Sequence, residues 1–333
     1  MSNETAKNSK IQWIALMQVI STMLIVFSHS IVVGIEHPNF ITYNIQSIQV
    51  IGLTAFMVSS GYLLVRSNAV KKYGYSKYLL NRFIRLMVPF FACQIIMICP
   101  KILLASLFDV KSGISLDSVL CGFLIPREGV LPHLWFLPVL MLMCMISPVL
   151  LFLAKKPAGM IIGTVVLLAI SLIPDVTNVL CLADLLHYLV WYFVGICAAR
   201  LVEESDIQKI KPWVLVLLMA ISAAAYVTIS AFASFAWAWY TAKSVFSLIF
   251  LFSISVLVNA VGGISKYTFP VYILSLPAQN LAELILARMQ THWTVSIAIM
   301  LLVGIVVPLA VALVVELIEK KRKIRPLSRI IGL

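Results

Sequence analysis

The sequence predicts an all-α integral membrane protein, a bundle of about ten transmembrane helices forming a single domain over residues 1–333. Three observations carry that expectation. Hydrophobic residues make up 62% of the 333 positions and charged ones only 11%, against about 25% charged in ordinary soluble domains. The mean hydropathy is +1.05, which excludes a water-soluble domain of this length. The apolar stretches run to helix length rather than to the roughly 10-residue alternating segments of outer-membrane barrels.

Charge clusters and turn residues divide the chain into spans near 11–34, 46–65, 83–106, 132–153, 158–174, 183–201, 212–233, 238–259, 268–288 and 294–317. Each has about 17 to 25 residues, enough to cross about 30 Å of hydrocarbon as a helix. The first is read as a membrane helix and not a cleavable signal peptide, because it is long and no small-x-small site closes it. Its far end, MLIVFSHSIVVG (23–34), holds His29 inside an apolar run. Two readings of that histidine stand side by side: a helix end reaching the water interface, or a base at the mouth of a membrane cavity.

The second span carries AFMVSSGYLL (55–64), where Ser59, Ser60 and Gly61 permit close helix contact or line a cavity. The third opens on NRFIRLMVPFF (81–91), which puts Arg82 and Arg85 on one helix face with Pro89 a turn later. The fourth opens on HLWFLPVLM (133–141) with His133. In the sixth, Asp184 and His187 stand three apart and can meet as a carboxylate–imidazole pair, ahead of WYFVGICAAR (191–200). Lys243 lies about one turn into the eighth span and is expected to snorkel to the interface. The ninth begins YTFPVYILSLP (267–277), with Pro270 and Pro277 expected to kink it, and ends near a possible Glu283–Arg288 polar pair. Trp13, Trp135, Trp213, Trp237 and Trp293 sit near span ends and read as interfacial anchors.

Basic residues orient this bundle. With the N-terminus in the cytoplasm, the clusters at 7–10, 66–85, 155–156, 200–211, 266 and 320–329 all fall inside. Only Lys101, Lys111, Arg127 and Arg288 fall outside. This positive-inside asymmetry predicts a multi-pass protein of the cell membrane with both termini cytoplasmic. The net charge of +12 then reflects topology and contact with anionic membrane lipids, and no nucleic acid is expected as partner. The six cysteines are scattered without a C-x-x-C pair, so neither a metal site nor a disulfide framework is indicated.

In their order and spacing, the five motifs of the second, third, fourth, sixth and ninth spans resemble the acyltransferase 3 family of multi-pass membrane acyltransferases. The resemblance runs from about residue 11 to about residue 315. It implies a ten-helix bundle that moves an acyl group, usually acetyl, from cytoplasmic acyl-CoA to a hydroxyl or amine of a cell-envelope glycan or related acceptor. The family's catalytic histidine falls on His29, whose imidazole suits proton removal from an acceptor hydroxyl. His133 is expected nearby as a substrate-orienting group. Arg82 and Arg85 match the basic motif, and guanidinium forks suit the phosphates of acetyl-CoA; positive-inside anchoring is the plainer alternative. Family members commonly carry an arginine eleven residues before the histidine, on the same face about 16 Å away. Here that position is Gln18, expected with Ser60 at the donor site. Ser275 likewise stands where the family often has histidine. A transporter or flippase of lipid-linked or polymeric saccharide, or an inactive acyltransferase-like scaffold, are the alternative readings. A transporter places polar residues near the midplane on broken helices, whereas arginines gathered inside and histidines outside favour a reaction spanning two aqueous faces.

Overall fold

The computed structural model describes residues 12–33, 35–36, 38–108, 114–173, 177–232, 237–259, 262–322, 326–331 and 333. Lys7, Lys10, Lys111, Lys323 and Arg325, counted above for orientation, lie outside the described residues. Among the described residues, 8 helices are long and apolar enough to cross a membrane. Two shorter apolar helices, Gln12–Ser28 and Pro157–Ser171, join them, and the chain is an all-α membrane protein of about ten spans.

In chain order the principal helices are α1 (Gln12–Ser28), α2 (Asn39–Ser67), α3 (Tyr75–Ile96), α4 (Ile98–Phe108), α5 (Leu116–Leu124), α6 (Phe136–Leu153) and α7 (Pro157–Ser171). They continue as α8 (Leu182–Leu201), α9 (Pro212–Phe232), α10 (Trp237–Val258), α11 (Thr268–Met289), α12 (Trp293–Arg322) and the short α13 (Pro326–Ile331). Burial separates centre from rim. The apolar windows of α8 and α2 are 61% and 56% buried, while that of α9 is only 11% buried. The exposed faces of α9 and α12 are apolar, as lipid contact requires.

The central pair meets through two glycines. A Cβ on Gly61 of α2 would stand 2.0 Å from the Tyr192 carbonyl oxygen, and one on Gly195 of α8 would stand 2.0 Å from that of Val58. Only hydrogen fits at either place, so the backbones approach closely and gain dispersion contact along the crossing. α1 lies against α2, and a Cβ on Gly52 would stand 2.7 Å from the Ser21 carbonyl oxygen. Trp13 packs edge-on against Tyr62 and Phe252 at the start of this layer.

Several local expectations are corrected. The third span begins at Tyr75, not near 83, and continues through a turn at Met97 into α4, so Arg82 and Arg85 lie about two and about three turns inside α3. Lys243 is buried at 4% exposure with its ammonium 6.0 Å from the Tyr226 ring, so it does not snorkel to the interface. Trp13 and Trp135 are core residues; Trp213 faces outward, and the Trp237 side chain lies outside the described ones. Pro270 falls in the first turn of α11, where no helical hydrogen bond is lost, leaving Pro277 as the interior proline. The Asp184 carboxylate takes Arg127 in a two-point bond at 2.9 and 2.7 Å and also accepts from Asn178, while His187 Nδ1 lies 3.3 Å from the Ser171 carbonyl. Burial opposes the Arg127 charge, but the bonded Asp184 outweighs it and raises the guanidinium pKa above the ordinary value. Glu283 and Arg288 part company: Glu283 accepts from the Val33 amide, and Arg288 donates to the Phe108 carbonyl.

Candidate active site

Two polar regions lie at different ends of the bundle. The first is a cavity of about 170 Å³ at the basic end. Gln18 of α1, Ser60 of α2 and Arg82 and Arg85 of α3 all line it, so four residues from three separate motifs converge on one space. Phe56, Phe136, Leu140 and Phe269 supply an apolar wall, and Ser265, Lys266 and Thr268 come from the approach to α11. The Arg82 guanidinium rests 5.4 Å from the Tyr78 ring centre, which fixes its stem by cation–π attraction. Tyr192 of α8, 1% exposed, closes the inner side.

The second region is the turn after α1. The helix stops at Ser28, and the amides of His29 and Ser30 bond back to Val26 and Phe27 at 3.2 and 3.0 Å. His29 therefore sits on the first non-helical residue, half-buried, and is not part of the cavity wall. Its Nε2 is buried and meets no hydrogen-bond partner among the described residues. That leaves a ring nitrogen able to exchange a proton with a bound group.

α11 holds this turn in place. Gln279, 0% exposed, donates from Nε2 to the Val26 carbonyl at 2.9 Å and to that of Met300 at 3.2 Å, with Ser30 Oγ at 3.5 Å. One helical turn on, Glu283 accepts from the Val33 amide at 2.9 Å. Non-helical backbone at membrane depth must have its polar groups satisfied by protein, and these two side chains do so on both sides of His29.

His133 lies on the short 3₁₀ turn Pro132–Trp135 that leads into α6. Its Nε2 is 3.1 Å from the Ile273 carbonyl. A carbonyl only accepts, so Nε2 carries the hydrogen and the neutral ring presents Nδ1 as an acceptor. Nδ1 is buried without a partner among the described residues. The Tyr272 hydroxyl donates to the His133 carbonyl, and Gln94 brackets the neighbouring Leu131 backbone at 2.9 and 3.3 Å. A run of rings joins the regions: His133 meets Tyr272 at 5.8 Å, and Tyr272 meets Phe136 of the cavity wall at 5.6 Å. Ser275 is buried and donates to the Tyr272 carbonyl.

Sequence reasoning does not single out Lys266, Tyr192 or Gln279 for the site, and gives Glu283 a different partner. An amide and a carboxylate one turn apart in an apolar helix are the available signal for Gln279 and Glu283.

A helical bundle with 8 helices among the described residues long and apolar enough to cross a membrane, and a basic cavity among them, defines a multi-pass membrane protein. A family model for the acyltransferase domain of the acyltransferase 3 family matches residues 11–315. The chain belongs to that family, and it is a membrane acyltransferase. No curated protein and no solved structure matches it.

Proposed function

We propose that this protein moves an acetyl group from cytoplasmic acetyl-CoA to a hydroxyl of a cell-envelope glycan or related acceptor, across the cell membrane. The observation that carries the reading is the convergence of Gln18, Ser60, Arg82 and Arg85 on one cavity, with His29 at the other end of the helix that bears Gln18. The basic end is the cytoplasmic end on this reading. Guanidinium groups there receive the CoA phosphates through charge-assisted bonds. Eleven residues of helix separate Gln18 from His29 by about 16 Å along the axis, a gap suited to the extended pantetheine arm. Gln18 supplies a hydrogen-bonding amide where relatives place a charge, and Arg82 and Arg85 provide the positive potential.

At the far end, His29 Nε2 takes the proton of the acceptor hydroxyl as its oxygen attacks the thioester carbonyl. The new C–O bond forms, the C–S bond breaks, and the departing CoA thiolate recovers the proton from the imidazolium. The products are the acylated acceptor and free CoA. His133, its Nε2 committed to Ile273, offers Nδ1 to orient the acceptor hydroxyl.

Mass spectrometry of envelope glycans from cells with and without the gene tests this reading, paired with transfer of radiolabelled acetyl from acetyl-CoA in isolated membranes. An acetyl ester that depends on the gene and on His29 is expected. Identical glycans, together with no protein-dependent consumption of acetyl-CoA, would refute it.

A further inference from the structure

The cavity holds a third cation that no motif announces. Lys266 comes from the 3₁₀ segment Gly262–Tyr267 and lines the same wall as Arg82 and Arg85. Its ammonium is engaged by Glu316 of α12, at 2.7 and 2.9 Å from the two carboxylate oxygens. The Tyr267 hydroxyl donates to the same carboxylate at 2.7 Å, and the Lys266 ammonium lies 4.6 Å from the Tyr267 ring. Glu316 is not itself part of the cavity wall. Both partners are about half exposed, with side chains 51% and 47% accessible.

These facts describe a pair made to be exchanged. Ion pairs in reach of water are weak and screened, so a polyanion entering the cavity competes for the ammonium on favourable terms. Lysine is well fitted to such an exchange, being a compact charge on a flexible four-carbon stem, whereas arginine fixes a planar fork.

We propose that Lys266 is a third ligand for the donor's phosphates and that Glu316 is its counterion while the cavity holds no polyanion. Donor binding moves the ammonium from the carboxylate to a phosphate oxygen, and no covalent bond changes. The inference rests on the donor reading of this cavity. It adds that the site is built for a polyanion engaging three cations, and that one acidic residue opposes binding.

Equilibrium binding of unacylated CoA to the purified full-length protein tests it, with Arg82→Gln, Lys266→Gln, Glu316→Gln and the Lys266→Gln/Glu316→Gln pair. Lys266→Gln should weaken CoA binding about tenfold, as loss of one charge-assisted bond does. Glu316→Gln should tighten binding severalfold, and the double variant should bind no tighter than Lys266→Gln alone. A Glu316→Gln variant that binds CoA no better than the parent, or a Lys266→Gln variant that binds it equally well, overturns the inference. If Arg82→Gln still loses affinity in that case, the donor reading survives without it. If none of the variants changes CoA binding, the donor reading falls as well.

Discussion

His29, whose Nε2 meets no hydrogen-bond partner among the described residues, stands where helix α1 ends, and the turn there is secured by Gln279 and Glu283 from α11. Two of these residues make separate predictions. General-base help accounts for about 10²–10⁴ in rate, so His29→Gln should lose acyl transfer by that order while the protein still inserts and binds CoA. Transfer near the parental rate by this variant would leave His29 a structural residue. Glu283 touches the backbone of the turn, so its effect is on position. Glu283→Ala should lower kcat with CoA affinity unchanged, and Glu283→Gln, whose amide oxygen still accepts from Val33, should restore most of it. If alanine and glutamine behave alike, the bond to Val33 does not govern the turn. At this scale the sequence is legible in part. Ser60, Arg82 and Arg85 stand in short motifs as polar residues in apolar helices, whereas Gln18 and the donor role of all four come only through the resemblance to the family. Partners at long range cannot be read from motifs. Arg127 reaches Asp184 over 57 residues and Gln279 reaches Val26 over 253, separations on which neither helical period nor local spacing bears.

Among the elements, the α2–α8 crossing sets where the cavity walls stand. Ser60 and Tyr192, both in the wall, adjoin the contact made by Gly61 and Gly195. A methyl group at either glycine meets a carbonyl oxygen at 2.0 Å, so the helices must part. Overpacking of this kind costs about 1–3 kcal/mol. Gly61→Ala and Gly195→Ala should each lower the melting temperature in detergent and weaken CoA binding together, because the crossing and the wall move as one. A stable variant with parental CoA affinity would show that the crossing can relax without the cavity. Hydropathy locates the helices because each must hide its backbone from lipid. It does not say which face turns inward: protein interior and lipid are both apolar, so amphipathic periodicity is erased. This is why sequence alone puts Lys243 at the interface when it is buried. The early start of α3 at Tyr75 is hidden for a related reason: its first turns carry Lys77, Asn81 and Arg82 and read as a loop.

For the whole molecule, the orientation proposed from the basic clusters has both ends of the chain on the cytoplasmic side, the side of the cavity. Single cysteines placed at 68–77 in a cysteine-free background should be labelled by impermeant reagents only after the cells are opened. Labelling from outside intact cells would invert the arrangement and put the cavity on the wrong face for a cytoplasmic donor. A last consequence follows from where α1 stops. The helix ends at Ser28, and Nε2 of the histidine that follows is buried. On the proposed reading a water-soluble acceptor must descend to that turn, and a thicker bilayer lengthens the descent. Acyl transfer should then fall through vesicles of dimyristoleoyl, dioleoyl and dierucoyl phosphatidylcholine, while CoA affinity at the opposite face stays level. A rate indifferent to the lipid would mean that the acceptor arrives through the protein and not through the membrane surface. A rate that falls would make the thickness of the host membrane a determinant of how much acceptor is acylated.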